Sequence, residues 1–218
     1  MDLVIIDYDA GNLRSVTRAV ERTGIMPRVT ADPSDIDHAD AVILPGVGAA
    51  ADTMLKLRER GLVDPIHAYI ASGRPFLGVC MGLQALFDSS EEGDGQTCLG
   101  AIHGRVLKFA TGTLKVPHMG WNTVDWVRDH PVIDGIPSGR AFYFVHSFYP
   151  APADESVTLG TTEYGVRFAS VVSRDNVVAT QFHPEKSSDN GLRLYANFVD
   201  WARAGVMAQP VPATGGAR

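Results

Sequence analysis

The residues best placed to do chemistry are Gly78-Val79-Cys80-Met81-Gly82, a G-x-C-x-G sequence at the end of the apolar run Phe76–Val79. A nucleophile flanked by glycines at a strand-to-helix junction sits on a sharp turn that exposes its reactive atom and removes clashing side chains. The free N–H groups and dipole of the helix start favour negative charge, so the Cys80 thiolate should form more readily there than in water. An isolated cysteine is more commonly a small buried hydrophobe. The flanking glycines and the junction favour the nucleophile for Cys80, whereas Cys98 lacks such a setting and reads as structural.

A thiolate that attacks an amide needs a proton shuttle for the leaving amine, usually a histidine held by a carboxylate. Gln181-Phe182-His183-Pro184-Glu185 follows the apolar run Val177–Phe182. In an extended segment, side chains two apart share a face, which would let Glu185 orient His183. Alone, this tripeptide is more often a turn with an exposed ion pair; coupling to the elbow favours the catalytic reading. His146 also ends an apolar run and is the rival base, without a carboxylate within two positions. His38, His67, His103, His118 and His130 read as surface or core-satisfying residues.

The reaction also needs N–H groups aimed at the developing oxyanion. Pro45-Gly46-Val47-Gly48 follows an apolar run and can present them, although it is equally the mark of a plain strand-to-helix turn. The N–H of Met81, next after the nucleophile, is the natural second donor.

These groups require a scaffold that delivers strand ends to one place. Leu3–Ile6, Ala41–Leu44 and Phe76–Val79 are short apolar runs suited to strands buried on both faces. Helical spacing follows each: Leu13, Val16 and Val20 up to Gly24, then 49–60 up to Gly61, then a helix start over 81–87. This alternation predicts an α/β fold, with a doubly wound, mostly parallel sheet and helices on both faces. Such sheets bind ligands at strand carboxyl ends, where Cys80 lies. The second half is richer in strand-like runs, at 106–109, 141–148, 157–162, 169–173 and 177–182, which predicts an antiparallel extension. A final helix capped at Ser188 or Asp189 buries Leu194, Phe198 and Trp201 and ends at Gly205. One domain over 1–205 is expected, with a Pro/Gly/Ala-rich disordered tail over 206–218.

With 218 residues and 45% hydrophobic content, the chain can bury one sizeable core. A net charge of -6 without a basic stripe argues against nucleic acid. No apolar run is long enough to span a bilayer, and the N-terminus lacks signal-peptide features, so a cytoplasmic protein is expected. Neither cysteine has metal-site or disulfide spacing, and no phosphate loop is present. Neither metal nor cofactor is expected.

Taken together, these motifs resemble the class I, or triad, glutamine amidotransferases, whose flavodoxin-like fold is the one inferred above. Five blocks in order resemble the glutaminase subunits of imidazole glycerol phosphate synthase: 7–13 (DYDAGNL), 45–48 (PGVG), 117–122 (PHMGWN), 143–149 (YFVHSFY) and 183–187 (HPEKS). They cover most of the chain, from residue 7 to residue 187. The resemblance implies Cys80, His183 and Glu185 as triad and L-glutamine as substrate. It puts the substrate near Gly46, Gly48, Gln84, Tyr143 and Ser147, and the oxyanion N–H groups at Val47 and Met81. Asn12 and Lys186 match positions that face a separate (β/α)8-barrel cyclase in a heterodimer. Channelled ammonia would there yield imidazole glycerol phosphate and an aminoimidazole carboxamide ribonucleotide for histidine biosynthesis. The family usually has glycine where this chain has Asp9. Two other readings remain: a glutaminase subunit of another ammonia-using synthase, and a catalytically inactive binding module on the same fold.

Overall fold

The computed structural model describes residues 1–208 except Ala10, Asp94, Thr111 and Thr113, and the side chains of 206–208 are also outside the description. The first half alternates: β1 (Leu3–Ile6), α1 (Leu13–Glu21), β2 (Arg28–Thr30), α2 (Pro33–His38), β3 (Ala41–Leu44), α3 (Ala50–Glu59), α4 (Val63–Ala71), β4 (Phe76–Val79) and α5 (Met81–Gln84). The second half is mostly strand: β5 (Phe87–Ser90), β6 (Gln96–Thr97), β7 (Ile102–Lys108), β8 (His118–Trp126), β9 (Arg140–His146), β10 (Phe148–Pro152), β11 (Thr158–Glu163), β12 (Arg167–Arg174) and β13 (Val177–Thr180). The helix α6 (Ser188–Ala208) completes the described chain.

Nine strands form one sheet in the order β2-β1-β3-β4-β13-β12-β11-β8-β9. From β2 to β13 neighbours run parallel, and from β13 to β9 they run antiparallel. The central strands are buried on both faces, as their unbroken apolar runs require. Leu3, Ile5, Ile43, Leu77 and Val79 face α1 and α6 through Val16, Val20, Leu194 and Phe198. Val4, Ile6, Val42, Leu44 and Phe76 face the opposite layer, with Ile36, Met54, Leu57, Ile66 and Tyr69.

The structure corrects four details. The last apolar run belongs to the parallel half, because β13 pairs parallel with β4. The run at 106–109 leaves the main sheet: β7 joins β10, β5 and β6 in a separate four-stranded sheet. The helix expected over 81–87 stops at Gln84, since Phe87 enters β5. Gly205 does not end the last helix, which continues to Ala208 with Trp201 packed against the core; a glycine costs a helix interior only about 1 kcal/mol relative to alanine. Of the expected tail, 209–218 lie outside the described residues. No described helix is long and apolar enough to cross a membrane.

Candidate active site

Cys80 sits where β4 passes into α5, with φ 54° and ψ −106°. That conformation costs a side-chain-bearing residue free energy on the order of 1–3 kcal/mol and persists only where the surroundings impose it. The β4–β13 ladder imposes it from one side, because Cys80 N–H donates to Thr180 O at 2.7 Å. Close packing imposes it from the other. A Cβ on Gly82 would overlap the Leu44 carbonyl oxygen, so only glycine lets α5 approach β3 this closely. α5 has only four residues, shorter than the helix start expected over 81–87, so the dipole at the junction is short.

His183 follows β13 and opens a 3-10 turn over Pro184–Lys186. The segment is therefore not extended, and it is the turn that brings His183 and Glu185 together. Nδ1 of His183 lies 2.8 Å from Glu185 Oε1, and both side chains are inaccessible to solvent. Asn12 Nδ2 donates to the same carboxylate oxygen, and the Tyr195 hydroxyl donates to the other at 3.4 Å. The backbone is clamped as well. His183 N–H donates to Tyr143 O, while Ser187 Oγ donates to His183 O at 2.6 Å and accepts from Tyr143 N–H at 2.9 Å.

Because Nδ1–H donates to Glu185, Nε2 is the nitrogen left for another group, and among the described residues it has no hydrogen-bond partner. Burial opposes a charge on this ring. The nearby Cys80 sulfur, through charge, and the Glu185 carboxylate outweigh burial and raise the His183 pKa to about 10. The arrangement favours a charged His183 ring beside Cys80. His146, the rival base, is already committed: Nδ1 meets Phe148 O at 2.7 Å and Nε2 meets His118 Nδ1 at 3.0 Å. Burial lowers its pKa to about 3, leaving a neutral ring with no free nitrogen for Cys80.

Cys80 and His183 open onto a cavity of about 300 Å³ that Val47, Gly48, Met81, Gln84 and Ser147 also line. Gly46 is not part of this lining, and a Cβ on it would meet the Tyr8 hydroxyl and Met81. The Gly46 carbonyl accepts Met81 N–H at 3.4 Å, so this N–H does not point freely into the cavity. Tyr143 and Lys186 stand outside it, with Lys186 Nζ 5.9 Å from the centre of the Tyr143 ring. Asn12 is half-buried on Glu185. Sequence reasoning assigned no role to Gln181, whose Nε2 lies 3.8 Å from Cys80 Sγ, nor to Glu92 and Pro117, which line the cavity. Gln181 lies two residues before His183, and that spacing was the one available signal. A larger groove of about 670 Å³ beside Trp126, His130 and Asp134 lies away from these groups.

Residues 4–201 match the family described as glutamine amidotransferase class-I, and the chain belongs to that family. Its close relatives narrow the group. It is 51% identical over 204 residues to imidazole glycerol phosphate synthase subunit HisH of Syntrophotalea carbinolica, covering 91% of this chain and 99% of the relative. The identically named subunit of Rhodopirellula baltica is 51% identical, over 90% and 96%. That of Dehalococcoides mccartyi is 48% identical, over 92% and 97%. Among solved structures, one titled glutamine amidotransferase superposes with a TM-score of 0.73 at 22% identity, over 92% of this chain and 98% of the other. A Thermotoga maritima PurLQS chain gives 0.73 at 18% identity, with the same coverage. At these identities the likeness speaks to the fold.

Proposed function

We propose that this chain is the glutaminase subunit of an imidazole glycerol phosphate synthase, a single glutamine amidotransferase domain over 1–205. It hydrolyses L-glutamine and passes ammonia to a (β/α)8-barrel cyclase. The observation that carries this reading is a buried His183 held by Glu185, facing Cys80 on a strained turn at the edge of a glutamine-sized cavity. An inactive binding module would leave that buried pair without a purpose.

In this mechanism the Cys80 thiolate adds to the carboxamide carbon. The C–N bond then breaks as His183 gives its Nε2 proton to the departing nitrogen, leaving a thioester and ammonia. Neutral His183 next takes a proton from water, the resulting hydroxide attacks the thioester, and the C–S bond breaks to release glutamate and restore the thiolate. Asn12 and Tyr195 hold Glu185, which keeps the Nδ1 proton in place throughout. Gln84 and Ser147 meet the substrate from the cavity wall, and Gly46 and Gly48 bracket the oxyanion peptide.

Both tetrahedral intermediates need Met81 N–H and Val47 N–H, yet Gly46 O occupies the former. Rotation of the peptide between Gly46 and Val47 would withdraw the carbonyl and present the Val47 N–H. The resting enzyme is thus incomplete, and the cyclase supplies the missing push. The partner surface we assign is the rim around Lys186 and Tyr143, continued by Met119 and Trp121, which are 61% and 55% exposed on β8. Asn12 transmits contact there to Glu185. The reading is cytoplasmic and involves neither nucleic acid nor membrane.

Glutamate release by the chain alone, with the cyclase, and with the cyclase carrying its nucleotide ligand tests this. Activity should rise at each step. Equal rates would remove the gating, and a Cys80→Ala chain that still hydrolyses glutamine would overturn the nucleophile.

A further inference from the structure

A polar chain runs from half-buried Asn122 on β8 to the cavity wall, and its proton positions follow from its ends. Asn122 Oδ1 accepts Thr123 N–H at 2.8 Å, so its Nδ2 is the donor, to Glu163 O at 2.9 Å and to His118 Nε2 at 3.2 Å. His118 Nε2 is therefore an acceptor. Burial lowers the His118 pKa to about 4, so the ring is neutral, its proton is on Nδ1, and it donates to His146 Nε2 at 3.0 Å. His146 must then carry its own proton on Nδ1, which the carbonyl of Phe148 requires independently from the other end. Phe144 and Tyr164 stack on the two sides of His118, with ring centroids 4.8 and 4.0 Å away.

The chain continues past the histidines. Phe148 O also accepts from Gln84 Nε2 at 3.0 Å, and the same nitrogen donates to Gln181 Oε1 at 2.9 Å. A backbone carbonyl cannot exchange roles, so Gln84 is held with its NH2 towards Phe148 O and Gln181 Oε1. Reversing the amide would set two oxygens against Phe148 O and Gln181 Oε1. The consequence is that Gln84 Oε1 is left buried and, among the described residues, without a partner, in a residue that lines the cavity. A buried acceptor without a donor costs roughly 1–3 kcal/mol, and a ligand that supplies the donor recovers it.

We propose that His146, oriented by His118, is a positioning residue for glutamine: it fixes the Phe148 carbonyl, which fixes Gln84, so that Gln84 Oε1 receives an N–H of the substrate. This rests on the glutaminase reading above and adds residues which that reading leaves idle. His146 touches no reacting atom, so its effect falls on KM for glutamine more than on kcat.

The test uses the complex with the cyclase and its ligand, with glutamine as the probe. His146→Phe keeps an aromatic ring against Phe109, Phe144 and Phe168 but loses the donor. Its KM should rise on the order of tenfold, with a much smaller change in kcat. Alkylation of Cys80 by iodoacetamide, which needs no Gln84 contact, should be unchanged. His146→Asn puts an amide N–H where Nδ1–H stood but leaves the ring space empty, so it should be the less stable variant with the better KM. A purely structural role gives the opposite order. An unchanged KM in His146→Phe overturns the proposal, as does an equal KM rise in both variants. Should His146→Asn fail to fold, the His146→Phe result decides alone. Persisting kcat in these variants would leave the glutaminase reading standing even as the positioning role fell.

Discussion

At the residue scale, the site is a set of groups held in unusual protonation states by burial and neighbours. His183, raised to about 10 from an ordinary 6.5, should be an imidazolium throughout the neutral range. Its contribution to stability is complete below the unfolded value and fades as pH climbs through about 10. An NMR titration of the ring should show proton loss near that pH, and Glu185→Gln should move it downward. The neutral pair behaves oppositely. His118 and His146, lowered to about 4 and about 3, exclude a proton that the unfolded chain binds below about 6.5. Stability should therefore decline as pH falls from about 6.5 towards about 4, and His118→Phe should flatten that decline in thermal melts. Asp9 shows how a departure from the family pattern is absorbed. Its φ of 64° is the left-handed backbone that suits the usual glycine, and aspartate is among the side chains most tolerant of it. Its carboxylate meets Arg60, and its carbonyl meets Lys56 Nζ at 3.4 Å.

At the scale of elements, the elbow depends on how closely α5 approaches β3. Gly82→Ala should destabilise the chain by roughly 2–3 kcal/mol, read as a lower urea midpoint, because the new methyl would meet the Leu44 carbonyl. This part of the fold was legible in advance. Three apolar runs, each followed by helical spacing, mark β1, β3 and β4, and burial on both faces gives such strands their composition. What could not be read was pairing. Val177–Thr180 looks like its antiparallel neighbours, and only the fold reveals that it returns beside β4. The His183–Glu185 contact followed from spacing for the wrong reason, since a 3-10 turn makes it. The His118–His146 pair was invisible because its members lie 28 positions apart and meet only through the β8–β9 register.

At the scale of the whole molecule, the exposed rim should carry the partner. Trp121→Ala and Lys186→Ala should each weaken the complex on the order of tenfold or more, read by titration calorimetry, while leaving the fold's melting point nearly unchanged. The same scale explains where regulation can act. Cys80 and His183, the nucleophile and base we propose, follow β4 and β13, adjacent strands in the middle of a nine-stranded sheet, locked by the pairs Val177–Phe76 through Thr180–Val79. Amides on those strands should exchange with deuterium only when the molecule unfolds as a whole. Cys80 and His183 are thus anchored to the most stable part of the sheet. The peptide between Gly46 and Val47 is tied by one long hydrogen bond and can turn at far smaller cost. On the mechanism we propose, a signal from outside would set how often this enzyme fires, while the geometry of each firing stays the same.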